Sequence, residues 1–438
     1  MKLQMEGYME PVKALLLGAG GRGTFVYAQY AKIHPGELRI AAVAEPDELK
    51  RRRIQEEHKI PGSAAFAGWE EAFKALPPEI EAVIIATQDR MHTGPLLAAI
   101  ERNLHILCEK PVAPTVEECR SIEQAAAGFN KVFMTGYVLK YTPFFSKIKE
   151  LLDEGAIGKL IGIDHIENVG HVHMAHSFVR GNWRNLAESS PMILAKSCHD
   201  MDILAWLAGA QAESLASYGD LNYFMAENAP AGAPARCLEG CPQETACPYS
   251  AAKIYLGKST DWPVNIISTD LSLQARTAAI RTGPYGRCVF HCDNDVVDHQ
   301  TVAIRFANGV TANFTMTGFS MEIHRNITLF GTNGELRGDM EEARLTLKQF
   351  AAPGNHAPGA GKGSERTFRL DRLLGGHGGG DINLTADFVH MVRGEGRGQG
   401  RAVVRDAFES HYMAFAAETS RLNKGRQELM QDWRPSSL

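Results

Sequence analysis

The chain has 438 residues, of which 44% are hydrophobic and 22% charged, and its formal net charge is −5 at pH 7. This length exceeds one ordinary hydrophobic core, so we expect two domains, and the composition excludes extensive disorder. The small negative charge gives no electrostatic reason to expect binding to nucleic acid or to an anionic membrane.

The sequence indicates neither a secretory signal nor a membrane span. Residues 1–13 contain acidic and polar side chains and no apolar run of the signal-peptide kind. No uninterrupted apolar stretch approaches the length that crosses a bilayer. Eight cysteines are spread along a chain of cytosolic character, where thiols stay reduced. We therefore expect a soluble cytoplasmic protein.

Short apolar runs alternate with amphipathic stretches in the first third of the chain. Predicted strands cover Val12–Leu17, Arg39–Ala44, Ala82–Ala86, His105–Cys108 and Val132–Thr135, and predicted helices cover Gly23–Lys32, Asp47–His58 and Gly94–Arg102. Strands that alternate with helices predict βαβ units and a parallel sheet covered on both faces. We assign residues 1–136 to such an α/β domain of the Rossmann type.

The remaining residues, 137–438, show a different pattern. A helix is predicted at Phe144–Glu154 and another at Asp406–Leu422, with strands at Leu160–Val169, Ile266–Ala275, His299–Phe306, Val310–Thr317 and Asn326–Phe330. Asn308-Gly309 predicts a hairpin with a primed turn, and Asn333-Gly334 marks the next turn. Residues 351–364, rich in Gly, Ala and Pro, predict a surface loop. This half is therefore predicted to be an α+β domain with a large, mostly antiparallel sheet.

A glycine-rich motif, Gly18-Ala19-Gly20-Gly21-Arg22-Gly23, lies between the first predicted strand and the first helix. Gly18 permits a tight turn, Gly20 lets a pyrophosphate approach the backbone, and Gly23 allows close contact between helix and strand. The free N–H groups at the helix start then face the phosphates. The motif in this position predicts a dinucleotide site, against the alternative of a glycine-rich turn without a ligand.

Glu45 follows the second strand, where a carboxylate binds the ribose hydroxyls of adenosine. A negative charge there repels a 2′-phosphate and so favours NAD over NADP. The three arginines of the next helix, Arg51 to Arg53, weaken this preference. We expect NAD as the cofactor.

Two further motifs follow strand ends, where parallel sheets bind ligands. They are Thr87-Gln88-Asp89-Arg90-Met91-His92 and Glu109-Lys110-Pro111. With the glycine motif and with Gly136-Tyr137, Lys140-Tyr141, Asn182-Trp183-Arg184 and His199-Asp200-Met201-Asp202, they resemble the Gfo/Idh/MocA family of sugar and cyclitol oxidoreductases. The branch typified by YteT looks similar in the cysteine-rich segment discussed below.

The resemblance implies an open-faced C-terminal sheet that joins subunits into a homodimer or homotetramer, and it implies a set of site residues. The implied cofactor contacts are Gly18, Gly20, Arg22, Gly23, Glu45, Thr87, Asp89, His92, Glu109 and Lys110. The implied contacts to a sugar or glycoside substrate are Lys110, Tyr141, Trp183, Arg184, Lys196, His199 and Asp202.

The same resemblance implies two catalytic residues. Lys110 would lie beside the nicotinamide ribose and the substrate hydroxyl, where a cation stabilises alkoxide character. His199 would take the hydroxyl proton, since an imidazole titrates at about 6.5, near working pH. The alternatives are a surface lysine and a structural histidine. Many family members have an aspartate where this chain has Ala195, so Lys196 is a possible second cation.

Several polar segments have no assigned role from the pattern alone. Cys237, Cys241 and Cys247, with Cys288, His291 or Cys292 as a fourth ligand, have a spacing unlike standard zinc sites, so small buried thiols are the favoured interpretation over a metal. Asp200 is interpreted as a possible solvated helix residue. Residues 285–287, 293–295 and 377–381 suit sugar recognition as well as they suit ordinary surface loops.

Three functions are compatible with these residues. The first is an NAD-dependent oxidoreductase acting on a hydroxyl or carbonyl of a sugar, cyclitol or glycoside. The second is an NAD-dependent glycosidase that works by transient oxidation and elimination, which residues 377–381 faintly suggest. The third is a binding protein that senses the nicotinamide redox state, which only Ala195 favours.

Overall fold

In the computed structural model, which describes residues 10–351, 363–371, 376–395 and 404–435, the first six strands form one parallel sheet. They are β1 (Val12–Leu17), β2 (Leu38–Ala44), β3 (Ala65–Phe66), β4 (Ala82–Ile85), β5 (His105–Cys108) and β6 (Phe133–Thr135). Their order, β3-β2-β1-β4-β5-β6, confirms the predicted Rossmann domain.

Helices cover this sheet because the strands are apolar on both faces. Leu15, Leu16 and Leu17 of β1 are fully buried, as are all four residues of β4. The helices are Gly23–Ala28, which has wide π-type winding, Gln29–Ile33, Glu48–His58, Trp69–Lys74, Thr93–Glu101, Val116–Ala125 and Gly380–Val392. Asp47 caps the third of them by accepting hydrogen bonds from two backbone N–H groups.

Nine strands form the second sheet. They are β7 (Leu160–Asn168), β8 (Ala212–Asp220), β9 (His299–Phe306), β10 (Thr311–Thr317), β11 (His324–Gly331), β12 (Gly334–Asp339), β13 (Arg344–Gln349), β14 (Ser364–Arg369) and β15 (Glu428–Leu429). Their order is β14-β13-β12-β11-β7-β10-β9-β8-β15, with β7 and β10 parallel and every other pair antiparallel. The predicted mostly antiparallel sheet is confirmed.

One face of the second sheet is buried and the other is open. Along β9, Gln300, Val302, Ile304 and Phe306 are buried, and the residues between them are exposed. Helices of this half include Pro143–Asp153, Met174–Arg180, Met192–Ala195, Cys198–Ala208, Ala251–Tyr255, Val264–Ile267, Leu273–Thr282 and Val404–Leu422.

By its contacts the chain divides into two units. The first contains Met1–Ser146 and Arg372–Phe408, and the second contains Lys147–Asp371 and Glu409–Leu438. The first unit therefore includes residues 137–146 and 372–408, which the sequence pattern placed in the second domain. Most of the predicted surface loop, 352–362, lies outside the described residues.

Two local predictions are wrong. The predicted strand Ile266–Ala275 is instead the end of helix Val264–Ile267 and the start of helix Leu273–Thr282, because the Ser272 hydroxyl caps the second helix by accepting from the Ala275 N–H. The β9–β10 hairpin exists, but its turn is not primed. Gly309 has a φ of 87° and Asn308 has no positive φ, so the loop ends in a single left-handed residue.

In the part of the chain that the structure describes, no helix has the length and apolar character needed to cross a membrane.

Candidate functional site

The glycine-rich turn after β1 is tightly packed at both ends. Gly18 has a φ of 89° and donates its N–H to the Ala44 carbonyl at 2.9 Å. A Cβ on Gly18 would lie 2.6 Å from the Ala86 oxygen, and one on Gly23 would lie 2.0 Å from the Gly18 oxygen. Larger residues at these two positions would therefore push the helix away from the strands.

Open space lies beside the middle of the turn. A Cβ on Gly20 would meet no atom within 4 Å. The Thr24 N–H donates to the Gly20 carbonyl at 2.9 Å, so helical winding begins directly at the turn. A closely packed turn with an open centre at a helix start has the shape and the N–H donors that a pyrophosphate needs, so these residues fit a bound dinucleotide.

The Glu45 carboxylate, 7% exposed, lies at the end of β2 against the same turn. It accepts the Ala19 N–H at 2.7 Å through Oε2 and the Asp47 N–H at 3.0 Å through Oε1. These two hydrogen bonds fix the orientation of the carboxylate at the end of β2, the position at which Rossmann domains bind the ribose of adenosine.

The three arginines of the following helix all have partners. Arg51 donates to the Glu45 carbonyl at 2.6 Å, Arg52 pairs with Glu48 at 2.6 Å, and Arg53 pairs with Glu57 at 3.0 Å. Because the three guanidinium groups already have partners, they give little reason to expect binding of the 2′-phosphate of NADP.

An ion-pair cluster connects the glycine-rich turn to the motif of Lys110. Arg22 donates from Nε to Glu109 Oε1 at 2.6 Å, and its Nη1 lies 2.7 Å from Asp381 Oδ1. The Tyr27 hydroxyl donates to the same Glu109 oxygen at 2.7 Å. His377 Nδ1 lies 3.3 Å from Asp381 Oδ2. We call Arg22, Tyr27, Glu109, His377 and Asp381 the Arg22 cluster.

The charges of the Arg22 cluster keep both of its carboxylates ionised. Burial alone would raise the pKa of Glu109, but the Arg22 charge and the hydrogen bond from Tyr27 hold it below the ordinary value. Burial likewise opposes ionisation of Asp381, yet the hydrogen bond from His377 and the charge of Arg22 lower its pKa to about 2. Asp381 does not lie in a surface loop, which was one of the two interpretations of residues 377–381, because it is buried in an ion pair at the start of helix Gly380–Val392.

The residues after β4 and β5 lie along the same sheet edge as the glycine-rich turn, because β1, β4 and β5 are neighbours. His92 is fully buried, with Nδ1 2.7 Å from the Pro111 carbonyl oxygen and Nε2 3.2 Å from that of Thr87. The imidazole thus connects the two strand-end loops. Asp89 is also buried, and Lys110 is half-buried.

Tyr141 is buried near the end of Met1–Ser146, the longer of the two segments that form the first unit. Its hydroxyl donates to Asp387 Oδ2 at 2.7 Å, and its carbonyl accepts from Asn383 Nδ2 at 3.0 Å. Both partners belong to helix Gly380–Val392, which also contains Asp381 of the Arg22 cluster. This helix therefore connects Tyr141 to the cluster.

In the second unit, the helix Cys198–Ala208 carries the predicted base. His199 and Asp202 lie three residues apart in its first turns and are both buried. Lys196, just before this helix, places Nζ 2.8 Å from Glu167 Oε1 of β7.

Glu167 belongs to a buried network of charges. Arg325 of β11 pairs with the second oxygen of Glu167 and donates from Nε to Asp200 Oδ1 at 3.0 Å. His165 Nε2 lies 2.8 Å from the same Asp200 oxygen. We call Lys196, Glu167, Arg325, Asp200 and His165 the Lys196 network.

The Lys196 network corrects one expectation and gives the direction of two pKa shifts. Asp200 is fully buried and is not a solvated helix residue. Burial would raise the pKa of Asp200, but the charge of Arg325 and the hydrogen bond from His165 hold it well below its ordinary value. Burial and the charge of Arg325 lower the pKa of Lys196, and the charge of Glu167 opposes this.

Arg184 and Asp293, which the sequence suggests separately for sugar recognition, form an ion pair with each other. Arg184 donates from Nε and Nη2 to the two oxygens of Asp293 at 2.8 and 2.9 Å, and from Nη1 to Glu188 at 2.6 Å. Trp183 beside it is half-buried, with its ring 6.1 Å from that of Phe178.

Sequence reasoning missed several residues of these clusters. Tyr27, Asp387 and Arg325 have partners more than 80 positions away in the chain, which no local pattern reveals. A signal existed for His165 and Glu167, since both share the buried face of β7 with Ile163. Charged residues at the buried positions of a strand indicate an ion pair or a site.

A parallel Rossmann sheet with an open glycine turn and an oriented carboxylate at the second strand end defines an NAD-binding protein, and the motifs on its edge are those of an oxidoreductase. The family models agree. Residues 12–137 match the NAD-binding Rossmann fold of the Gfo/Idh/MocA oxidoreductase family, and residues 149–410 match the C-terminal alpha/beta domain of that family. The chain therefore belongs to the Gfo/Idh/MocA family and is an NAD-dependent oxidoreductase.

Individual relatives are distant. YteT of Bacillus subtilis (strain 168), whose name classes it among the oxidoreductases, is 25% identical over 73% of this chain and 74% of its own. The inositol 2-dehydrogenase of Corynebacterium glutamicum (strain ATCC 13032) is 28% identical over 46% of this chain and 57% of its own. A levoglucosan dehydrogenase solved with NADH and levoglucosan has the same fold, with a TM-score of 0.67, 19% identity, and coverage of 96% of this chain and 100% of that one.

Proposed function

We propose that this oxidoreductase oxidises a hydroxyl group of a sugar, cyclitol or glycoside with NAD, or reduces the corresponding carbonyl. The observation that carries the proposal is the hydrogen bond between Arg22 and Glu109, because it joins the pyrophosphate-binding turn to the segment of Lys110. The activities named for the inositol and levoglucosan dehydrogenases support the substrate class.

The cofactor side of the proposed site is held mainly by backbone groups. The N–H groups that start the first helix hold the pyrophosphate between Gly20 and Gly23, and Glu45 accepts from the ribose hydroxyls. Thr87, Asp89 and His92 shape the loop beside the nicotinamide half, with His92 acting through its hold on the backbone. When bound, NAD accepts a hydride from the carbon that carries the substrate hydroxyl.

Lys110 and His199 perform the proton chemistry in this proposal. The ammonium group of Lys110 donates a hydrogen bond to the substrate oxygen and stabilises the negative charge that develops on it. His199 takes the hydroxyl proton as oxidation proceeds and returns it during reduction. Glu109 is a positioning residue, because its pairing with Arg22 fixes the backbone that carries Lys110.

Lys196 supplies the second cation on the substrate side. Glu167, which Arg325 holds in place through its second oxygen, restrains Lys196, so the ammonium group is already oriented when a polyol binds. We further propose that Asp202, Tyr141, Trp183 and Arg184 contact the other hydroxyls and a ring face. Arg184 would do so through Asp293 and Glu188, since its guanidinium is already bonded to them.

The test is a panel of pyranoses, cyclitols and glycosides incubated with NAD, with reduced cofactor measured by absorbance. Replacement by alanine of Lys110 or of His199 lowers kcat/KM on the best substrate by about 10²-fold or more, because each removes a group used in the transition state. The control is Lys149→Ala, which breaks only a surface pair with Asp153. Unchanged kcat/KM in both site variants would refute the catalytic assignment.

The same panel separates the proposal from its alternatives. Release of an aryl leaving group without net reduced cofactor would indicate a glycosidase, and cofactor binding without turnover would indicate a sensor. The burial of Asp381 in the Arg22 cluster removes the feature that suggested a glycosidase.

We also propose a homodimer or homotetramer assembled through the open face of the nine-stranded sheet. Ile166 of β7 and Phe330 of β11 are both 39% exposed on that face. Light scattering coupled to size exclusion tests this, and Ile166→Asp is expected to shift the mass toward the monomer.

A further inference from the structure

A long segment without sheet strands lies between β8 and β9. Residues 221–298 contain only short helices. One hydrophobic cluster of this segment consists of Cys237, Ala251, Tyr255 and Ile280, with a few partly buried neighbours. Connections of this length are uncommon inside a domain, so a bound ion would help to order the segment.

Four of the eight cysteines of the chain line one cavity in this segment. They are Cys237, Cys241, Cys247 and Cys288, and the cavity has a volume of about 20 Å³. Of the three residues that the sequence offered as a fourth ligand, only Cys288 lines the cavity. The Cys292 thiol bonds to the Cys288 carbonyl instead, and His291 Nε2 lies 3.3 Å from the Ala233 carbonyl oxygen.

Backbone hydrogen bonds fix the segments that carry the four cysteines. Cys237 and Cys288 lie on adjacent antiparallel segments, with the Cys237 N–H bonded to the Gly286 carbonyl at 2.9 Å and the Cys288 N–H to the Ala235 carbonyl at 2.8 Å. Gly240, with a φ of 79°, turns the chain so that Cys241 returns toward Cys237. The Cys247 N–H bonds to the Gln243 carbonyl at 2.8 Å, which closes the second turn.

A buried cation lines the same cavity and has an unused donor. Arg180 is fully buried, with Nε donating to the Arg287 carbonyl at 2.7 Å and Nη2 to the Tyr249 carbonyl at 2.7 Å. Nη2 also lies 3.5 Å from the Cys237 sulfur. Nη1 is buried without a hydrogen-bond partner. A buried guanidinium at the wall of the cavity favours an anion or an anionic complex inside it.

We propose that Cys237, Cys241, Cys247 and Cys288 bind one zinc ion as thiolates, and that this ion stabilises the segment 221–298. Zinc prefers four tetrahedral sulfur ligands in structural sites, and a tetrathiolate complex carries two negative charges that Arg180 partly balances. The coordinating thiols release their protons to solvent as the four zinc–sulfur bonds form.

Zinc binding requires the sulfur atoms to move together. Thiolates at about 2.3 Å from zinc lie about 3.8 Å from one another. Among the described residues, no three cysteine sulfurs lie within 4.8 Å of each other without an ion. Cys241 and Cys247 are only half-buried and lie in turns, so rotation about their side chains and a small shift of residues 238–248 bring them to the ion.

The experiment measures zinc in the full-length protein purified from zinc-supplemented cells, by mass spectrometry of the metal. We expect a single zinc ion per chain, its loss in Cys241→Ser and Cys247→Ser, and its retention in Cys292→Ser, the matched thiol control from the same segment. Cobalt(II) in place of zinc is expected to give the intense sulfur-to-cobalt absorption of thiolate ligation.

Because a serine variant can fail to fold, the unaltered protein is tested as well. Removal of zinc by a chelator is expected to lower Tm, expose up to four additional thiols to a thiol reagent, and be reversed by added Zn²⁺. Protein that carries no zinc, takes up none when reduced and offered Zn²⁺, and keeps its Tm in chelator would overturn the proposal. So would zinc that persists in both serine variants. Iron with visible absorption would assign the cysteines to a cluster and overturn it too.

Discussion

Arg22 donates a hydrogen bond to Glu109 across 2.6 Å, although 87 positions separate the two residues in the chain. Arg22 lies inside the glycine-rich motif, and Glu109 immediately precedes Lys110. The pair therefore couples the proposed pyrophosphate-binding turn to the segment that carries the proposed catalytic cation. Each side chain also has a second partner, since the Tyr27 hydroxyl donates to Glu109 and Asp381 pairs with Arg22.

Breaking this pair should destabilise the first unit. Glu109→Gln removes the carboxylate that Arg22 and Tyr27 share, and we expect a loss of about 2 kcal/mol in the free energy of unfolding, since Arg22 remains partly solvated. Denaturant unfolding monitored by fluorescence measures this. The matched control, Glu48→Gln, breaks an exposed pair with Arg52 and should change stability by less than about 0.5 kcal/mol. Equal effects in the two variants would contradict the coupling.

Cofactor preference should depend on the charge of Glu45. Glu45→Gln keeps the size of the side chain and one acceptor oxygen but removes the negative charge beside the ribose site. We expect the Kd for NADH to rise about tenfold and the preference for NADH over NADPH to shrink, because a 2′-phosphate is no longer repelled. Fluorescence titration with both reduced cofactors measures the ratio. If the ratio stayed as in the unaltered protein, another residue would set the preference.

The Rossmann sheet could be predicted because its signals are local. β1 and β4 are short, largely buried apolar runs, and the glycine motif and Glu45 lie at fixed distances from strand ends. The hairpin of β9 and β10 was also predictable from Asn308-Gly309. Its turn type was not, because loop length and a single left-handed glycine decide it.

The ion-pair clusters could not be predicted from the sequence. Asp200 has the polarity of an exposed helix residue. Its burial is possible because Arg325 of β11 and His165 of β7 form hydrogen bonds with its carboxylate and offset the cost of removing the charge from water. The glycines before Asp381 predict a loop. In the structure Asp381 lies instead in the first turn of a helix, where it pairs with Arg22. In both cases partners that are distant in the chain determine whether the carboxylate is buried and paired.

The close contact between helix and strand at the glycine motif can be tested directly. Gly23→Ala places a Cβ 2.0 Å from the Gly18 oxygen, so the helix start must shift away from the turn. We expect the Kd for NADH to rise at least about tenfold and the free energy of unfolding to fall by about 1–3 kcal/mol. Gly36→Ala is the control, since a Cβ there meets no atom within 4 Å. Calorimetric titration with NADH compares the two variants, and equal affinities would argue against a pyrophosphate at this turn.

His176 should make the second unit sensitive to acid. Burial, assisted by the charge of Arg180, lowers the pKa of His176 to about 3, whereas the unfolded chain keeps an ordinary value near 6.5. Between these values the unfolded state binds a proton that the folded state does not. Stability from the neutral imidazole is therefore complete above about pH 6.5 and is lost as the pH falls toward about 3, by up to about 1.4 kcal/mol per pH unit.

The variant that isolates this effect must not leave a polar group unpaired. His176 Nδ1 lies 2.9 Å from the Tyr255 hydroxyl, and its ring stacks on Tyr285 at 4.6 Å. The double variant His176→Phe with Tyr255→Phe removes both groups of this hydrogen bond and keeps a ring for stacking, and the single variant Tyr255→Phe accounts for the contact between the Tyr255 hydroxyl and Arg180. Unfolding free energies between pH 4 and 6 should then fall less steeply than in the unaltered protein. Identical slopes in the two proteins would mean that His176 is protonated in the folded state.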